Sequence, residues 1–225
     1  MLKNKKDIPI PSLRRLLNVY RLLEQYEKTN VRTVSSSELG KRLGVKADSI
    51  RKDISYIGEV GNFGAGYEVV KLKAHISTKL DLDIKRRLCV VGLGRLGTAV
   101  LNYNDLSQNG FFVVAGFDSN INKLETIKTT VELHPAHEIP EVVQRKAIDI
   151  GVITVPADAA QEVADRLMDG GIKGIINFSL TAICGRENVR IRNIDLLGEC
   201  MILSVLMSMH DQTNGKTAFK ENHTT

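Results

Sequence analysis

Cysteine is scarce in this chain of 225 residues, and the three present, Cys89, Cys184 and Cys200, lie far apart. No CxxC pair occurs, which excludes the usual spacing of a structural zinc site. An odd, dispersed set does not make a disulfide framework either. Each cysteine stands in an apolar setting, so burial is expected for all of them. Long hydrophobic runs are also missing, and no stretch approaches the length that spans a bilayer. The opening MLKNKKDIPIP is basic but lacks the apolar core of a secretory signal. A reducing, cytoplasmic setting is therefore expected. Internal repeats and low-complexity segments do not occur.

What the chain does have is apolar substance and an uneven charge. Hydrophobic residues make up 43% of it, enough for one ordinary core with a small satellite domain, or for two modest domains. That is not a disordered composition. Residues 1–80 carry 16 Lys/Arg against 8 Asp/Glu, and residues 81–225 carry 15 against 18. A basic head on a mildly acidic body points to a polyanion at one end, most often nucleic acid.

The head reads as short helices. Pro9 and Pro11 set the start of a first helix capped by Ser12, with Leu13, Leu16, Leu17, Tyr20, Leu23 and Tyr26 at helical spacing and an end near Glu27. In VSSSELGKRLGV, Ser35 and Glu38 fit a capping box, and Gly44 ends the helix. DSIRKDISYIG opens another at Ala47 or Asp48, with Ile50, Ile54 and Ile57 on one stripe and Gly58 closing it. EVGNFGAGYEVVKL then reads as a glycine-rich turn and a returning strand. Helix, helix, short turn, helix and wing is the order of a winged helix-turn-helix. The expected domain spans 1–80, with a linker from His75 to Lys85.

After Arg87 the texture changes. LCVVGLG, FFVVAGFD, IDIGVITVP and IKGIINFS are continuous apolar runs, as expected of parallel strands covered on both faces, and VRIRNID is a further candidate. A helix is expected from about Arg95 to Ser107, an ill-defined turn and short helix between His134 and Gln144, and a helix over ADAAQEVADRLMDGG. Alternation at these lengths means a doubly wound α/β sheet over 85–197. The last periodic stretch, GECMILSVLMSM within 198–211, is apolar nearly all round. Such a helix is expected to be buried or inserted into a partner, which favours a dimer. The tail after His210 is expected to be loose.

Gly92, Gly94 and Gly97 form GxGxxG after a strand and at the opening of a helix, the context in which the pattern binds a dinucleotide. Gly92 permits the turn, Gly94 lets backbone approach the pyrophosphate, and Gly97 lets helix and strand pack closely. Leu93, Arg95 and Leu96 complete the cradle, where free N–H groups meet the phosphates. Asp118 ends the next strand, where a carboxylate accepts the ribose hydroxyls of NAD and repels the 2′-phosphate of NADP. FDSN offers no basic group before Lys123. Val155, Pro156 and Asn177 end later strands at the ligand edge. Phe178 reads as core rather than as a stacking surface.

Catalytic groups are harder to find. A dehydrogenase needs a proton donor or acceptor beside the nicotinamide. None of the histidines ends a strand of the sheet, and His134 and His137 read as solvated rather than metal-ligating. No serine elbow and no carboxylate pair stands out. The α/β part therefore reads as a cofactor receptor with no reaction attached. A small NAD-dependent oxidoreductase with a basic N-terminal extension remains the alternative, and a sensor of another nucleotide, such as a sugar nucleotide, is a third possibility.

In the basic head, the third helix is expected to enter the DNA major groove. Arg51 and Lys52 reach phosphates or bases, and Ser49, Ser55 and Tyr56 reach phosphates or sugars, with Lys46 in the turn also well placed. A helix-turn-helix used only for protein contact is the competing reading.

DSIRKDISYIGEVGNFGAGY, VVGLGRLGTAVLNY, FDSN, ITVPADAAQEVADRLMDGGIKGIINFS and IDLLGE, in that order, resemble the Rex family of redox-sensing transcriptional repressors. The resemblance implies a homodimer with an N-terminal winged helix, a C-terminal NAD(H)-binding domain and a C-terminal helix swapped into the partner. It implies binding to palindromic double-stranded operator DNA and release by NADH, with NAD⁺ competing. By resemblance, Arg15, Tyr103 and Asp195 form a switch network. Asn62 and Phe63 stand in the wing where family members commonly carry basic residues, which implies an altered operator preference.

Overall fold

A computed structural model describes residues 8–58 and 66–221, with side chains to residue 209. The chain divides between Ile84 and Lys85 into two compact units.

The first unit opens with α1 (Ile10–Lys28), entered through Pro9 and Pro11. Ser12, expected as the cap, is instead inside the helix and buried. β1 (Thr33–Val34) leads into α2 (Ser36–Leu43), where the Ser35–Glu38 capping box forms in both directions. Gly44 ends α2 in a left-handed conformation, and α3 (Ala47–Tyr56) follows. The turn between the two is held by the Val45 N–H donating to the Gly40 carbonyl at 2.9 Å. A Cβ on Gly40 would lie 2.6 Å from the Val45 oxygen, so the helix-turn-helix closes only over glycine there.

β2 (Tyr67–Glu68) pairs antiparallel with β1, Val34 opposite Tyr67. The strand expected over YEVVKL stops after these two residues, and the presumed linker is α4 (Val69–Leu80). β-branched Val69 and Val70 favour a strand locally. But Val69, Leu72 and Ile76 recur at helical spacing, and each is fully buried against Leu16, Leu23 and Ile50. At about 1.5–3 kcal/mol for each buried aliphatic side chain, that burial outweighs local preference.

The second unit is a sheet of six parallel strands: β3 (Arg86–Val91), β4 (Phe111–Asp118), β5 (Leu133–Pro135), β6 (Ile150–Ile153), β7 (Gly174–Asn177) and β8 (Arg190–Asn193), in the order β5-β4-β3-β6-β7-β8. The strands alternate with α5 (Arg95–Leu101), α6 (Asn104–Gln108), α7 (Ile121–Thr126), α8 (Ile139–Arg145) and α9 (Ala160–Asp169). Alternate residues of β3 serve different cores. Cys89 and Val91 pack with Val142, Val143 and Leu167, while Leu88 and Val90 pack with Leu101 and Leu106. The sheet is therefore covered on both faces, as its unbroken apolar strands require. The order reverses between β3 and β6, and in open sheets of this kind ligands bind outside the strand ends at that crevice.

Several boundaries differ from expectation. The helix expected over Arg95–Ser107 breaks at Asn102 and Tyr103 into α5 and α6. The segment from His134 holds a true strand, β5, too short and too polar to show as one. His134 is not solvated: its ring packs 5.7 Å from that of Phe117, its cross-strand neighbour. Cys184 and Cys200 are exposed, and of the three only Cys89 is buried. The final helix, α10 (Leu196–Glu221), begins before residue 198 and runs past 211. DQTNGKTAFKE contains no proline to stop it. The apolar side chains of α10 between Leu196 and Met209 are more than half exposed in the single chain. Among the described residues, no helix is long and apolar enough to cross a membrane.

Candidate functional site

The glycine turn lies at the crevice between β3 and β6. Gly92 follows the last residue of β3 with φ of 93°, a conformation that other residues adopt only with strain. Its N–H donates to the Phe117 carbonyl at 2.8 Å, tying the turn to β4. Its carbonyl accepts from Thr154 Oγ1 at 2.7 Å, tying the turn to the end of β6. A Cβ on Gly97 would lie 1.9 Å from that same carbonyl, so α5 can pack here only through glycine. Around Gly94 a Cβ would meet nothing within 4 Å, and Gly94, Arg95 and Leu96 are exposed. The turn is thus tight toward the protein and open outward, where the first N–H groups of a helix lack intrahelical partners. That shape fits a pyrophosphate.

Asp118, at the end of β4, is 5% exposed. Its Oδ2 accepts from the Leu93 N–H and its Oδ1 from the Asn120 N–H, both at 2.8 Å. The carboxylate therefore shapes the turn. Lys123 Nζ stands 3.3 Å from Oδ2. Val155 is half-buried against Gly92, and Pro156 is exposed beside it. Asn177 is fully buried. Its Nδ2 donates to the Thr181 carbonyl at 2.9 Å and to Asn193 Oδ1 at 3.0 Å, and its Oδ1 accepts from Ser179. Asn177, expected as a cofactor contact, has its side-chain amide engaged in organising the loop after β7. Thr154 was not singled out by the sequence, and nothing in a lone threonine beyond a strand marks it. Phe178 packs against the core.

In the first unit, Ile50, Ile54 and Ile57 are buried, and Lys46, Arg51, Lys52 and Ser55 are exposed, with Ser49 and Tyr56 half-buried. The outer face of α3 is thus the polar and basic one. Arg51 pairs with Asp48 one turn back and donates to Ser36 Oγ at 2.7 Å, so its guanidinium is held at the junction of α2 and α3. Ser55 Oγ donates to the Lys52 carbonyl at 2.7 Å. Asn62 and Phe63 lie outside the described residues.

Residues 7–55 match a family model described as "Putative DNA-binding protein N-terminus", and residues 83–181 match one described as "CoA binding domain". The redox-sensing transcriptional repressor Rex of Exiguobacterium sp. is 35% identical over 96% of this chain and 99% of its own length. Rex 1 of Thermotoga maritima is 39% identical over 88% of this chain and 95% of its own. The crystal structure of RSP in complex with beta-NAD+ and operator DNA covers 96% of this chain and 99% of that one, at 31% identity and a TM-score of 0.85. The chain belongs to the Rex family.

A Rex fold is a winged helix followed by a Rossmann-like domain, and both are present here. The Rex relationship decides between repressor and oxidoreductase in favour of the repressor. RSP, itself described as a Rex-family repressor, has also been solved in complex with beta-NADH, with a TM-score of 0.83 to this chain. Of the three residues assigned to a Rex switch by resemblance, Arg15 is hydrogen-bonded to Asp53 of α3. Asp195 precedes α10, and its Oδ1 accepts from the Gly198 N–H at 2.8 Å, a helix cap. Tyr103 sits at the break between α5 and α6, 57% exposed. Within its own unit Arg15 also donates to Ser12 Oγ at 3.4 Å.

Proposed function

We propose that this protein is a redox-sensing repressor that binds operator DNA as a homodimer, responds to the NADH/NAD⁺ ratio and releases the DNA when NADH binds. The observation that carries the reading is the pairing, in one chain, of a basic helix-turn-helix face with a GxGxxG turn open at Gly94. RSP, which this chain matches at a TM-score of 0.85, has been solved with beta-NAD+ and operator DNA.

Gly94, Arg95 and Leu96 present backbone N–H groups to the pyrophosphate, and Gly92, Leu93 and Gly97 shape the turn behind them, the first two with their own N–H groups bonded to Phe117 and Asp118. Asp118 receives the adenosine ribose, and Val155 and Pro156 flank the dinucleotide. The cofactor supplies a redox state to be read, and no group here is assigned to proton transfer. In the head, α3 lies in the major groove. Arg51 and Lys52 contact bases or phosphates, and Lys46, Ser49, Ser55 and Tyr56 contact the backbone. Asn62 and Phe63 belong to the wing, where the loss of basic side chains alters operator preference. Exposed α10 covers its apolar surface in the partner subunit, which brings two heads to a palindrome. Arg15, Tyr103 and Asp195 are assigned to the switch, with Asp53 as the partner Arg15 must leave or keep. Operator binding implies a cytoplasmic setting.

The physics is linkage. NADH shifts a two-state dimer only by its differential affinity for the two states. It must therefore prefer the head spacing that does not match both half-sites. Replacing Arg51 and Lys52 together with alanine tests the assignment. Operator binding is lost while nicotinamide fluorescence still reports NADH binding. Operator binding that survives the double substitution places the recognition surface elsewhere.

A further inference from the structure

We propose that Lys123 sets how strictly the dinucleotide site rejects a 2′-phosphate, an inference that rests on the cofactor reading above. In sequence Lys123 stands beyond the FDSN segment. The structure folds it back. Asn120 Oδ1 accepts from the Asn122 N–H at 3.1 Å and starts α7, whose first turn returns Lys123 to 3.3 Å from Asp118 Oδ2.

The two charges at the end of β4 are not equally presented. The Asp118 side chain is 6% exposed and that of Lys123 is 46% exposed. Both carboxylate oxygens of Asp118 already accept a backbone N–H. The charge that faces solvent at this corner is therefore the cation. A carboxylate here excludes a phosphorylated ribose by repulsion. At this corner an ammonium within ion-pair distance offsets that repulsion.

An ammonium carries three donors, and one contact to Asp118 leaves the others for an incoming acceptor. A ribose hydroxyl gains an ordinary hydrogen bond from it. A phosphate dianion gains charge-assisted bonds, roughly twice as strong as neutral ones. Lys123 therefore favours the phosphorylated ribose more than the plain one, and it softens the discrimination that Asp118 imposes. Because the lysine is half exposed, its effect falls on ligand choice rather than on fold stability.

The test is titration of the full chain and its Lys123→Ala, Lys123→Glu and Lys123→Arg variants with NADH and with NADPH, read by nicotinamide fluorescence. In Lys123→Ala the Kd for NADPH rises about tenfold, the loss of one charge-assisted bond, while that for NADH stays within about threefold. Lys123→Glu widens the gap further, and Lys123→Arg keeps it near the original. A Kd ratio unchanged in both the alanine and glutamate variants, with NADH still bound, overturns the proposal. So does an unsubstituted protein with no measurable affinity for NADPH, because Lys123 would then soften nothing. Failure of the unsubstituted protein to bind NADH overturns the cofactor reading itself.

Discussion

The guanidinium of Arg15 holds the carboxylate of Asp53 with two hydrogen bonds, from Nε to Oδ2 at 2.5 Å and from Nη2 to Oδ1 at 2.9 Å. Asp53 is 1% exposed, so a buried charge on α3 is neutralised from α1. The carboxylate in turn raises the Arg15 pKa above its usual value, chiefly through the hydrogen bond. Removing one partner of such a pair leaves an uncompensated buried charge. Arg15→Ala is therefore expected to destabilise the chain by about 3 kcal/mol in denaturant unfolding. Asp53→Asn, which removes the charge but keeps an amide oxygen to accept, is expected to cost less. Unchanged stability in Arg15→Ala would mean that the pair contributes nothing to the first unit.

Gly97 is the tightest point of the dinucleotide turn. Gly97→Ala drives a Cβ into the Gly92 carbonyl, which is backbone and cannot rotate away. The expected outcome is loss of NADH binding by fluorescence titration, with operator binding no longer responsive to NADH. An alanine variant that binds NADH normally would show that the turn can open without cost.

The capping box of α2 gives a pH-dependent contribution. The Ser35 backbone N–H, and then its hydroxyl, hold the Glu38 carboxyl below its usual pKa of 4.5. A depressed folded-state pKa means the stabilisation is fully present above the unfolded value and is lost as pH falls through the folded one. Glu38→Ala should therefore lower Tm at pH 7, and its gap from the unsubstituted protein should narrow as pH drops below about 4.5. A gap that stays constant into acid would rule out the ionised carboxylate as its source.

Cys89 is fully buried in β3, and burial pushes its thiol up to about 12. In a Cys200→Ser background, a thiol reagent at pH 8 should label Cys184 at once and Cys89 only on unfolding. Rapid labelling of both would contradict the packing of β3 between its two helical layers.

The parts of the site that were legible in the sequence are those whose chemistry is local. Gly92, Gly94, Gly97 and Asp118 announce themselves because a turn, a close approach and a strand-end carboxylate each require a residue type at a fixed place. The capping box at Ser35 and Glu38 was legible for the same reason. What was hidden depends on distant packing. Val69 and Val70 favour a strand locally, and burial of Val69, Leu72 and Ile76 against α1 makes the segment helical. Thr154 matters because it meets a carbonyl 62 residues away. Arg15 finds Asp53 across 38 residues, a pairing no spacing rule reveals. Asn177 sits at the ligand edge in sequence, yet its amide also bonds the side chain of Asn193 on β8, which only the folded sheet brings near.

The most direct test of the central claim is equilibrium binding of the dimer to a palindromic operator duplex, titrated with NADH and, separately, with NAD⁺ at fixed salt. Salt is fixed because phosphate contacts make such affinities strongly ionic-strength dependent. NADH should release the duplex, and NAD⁺ should leave it bound and compete with the release. Operator affinity that is the same at every NADH/NAD⁺ ratio would contradict the account.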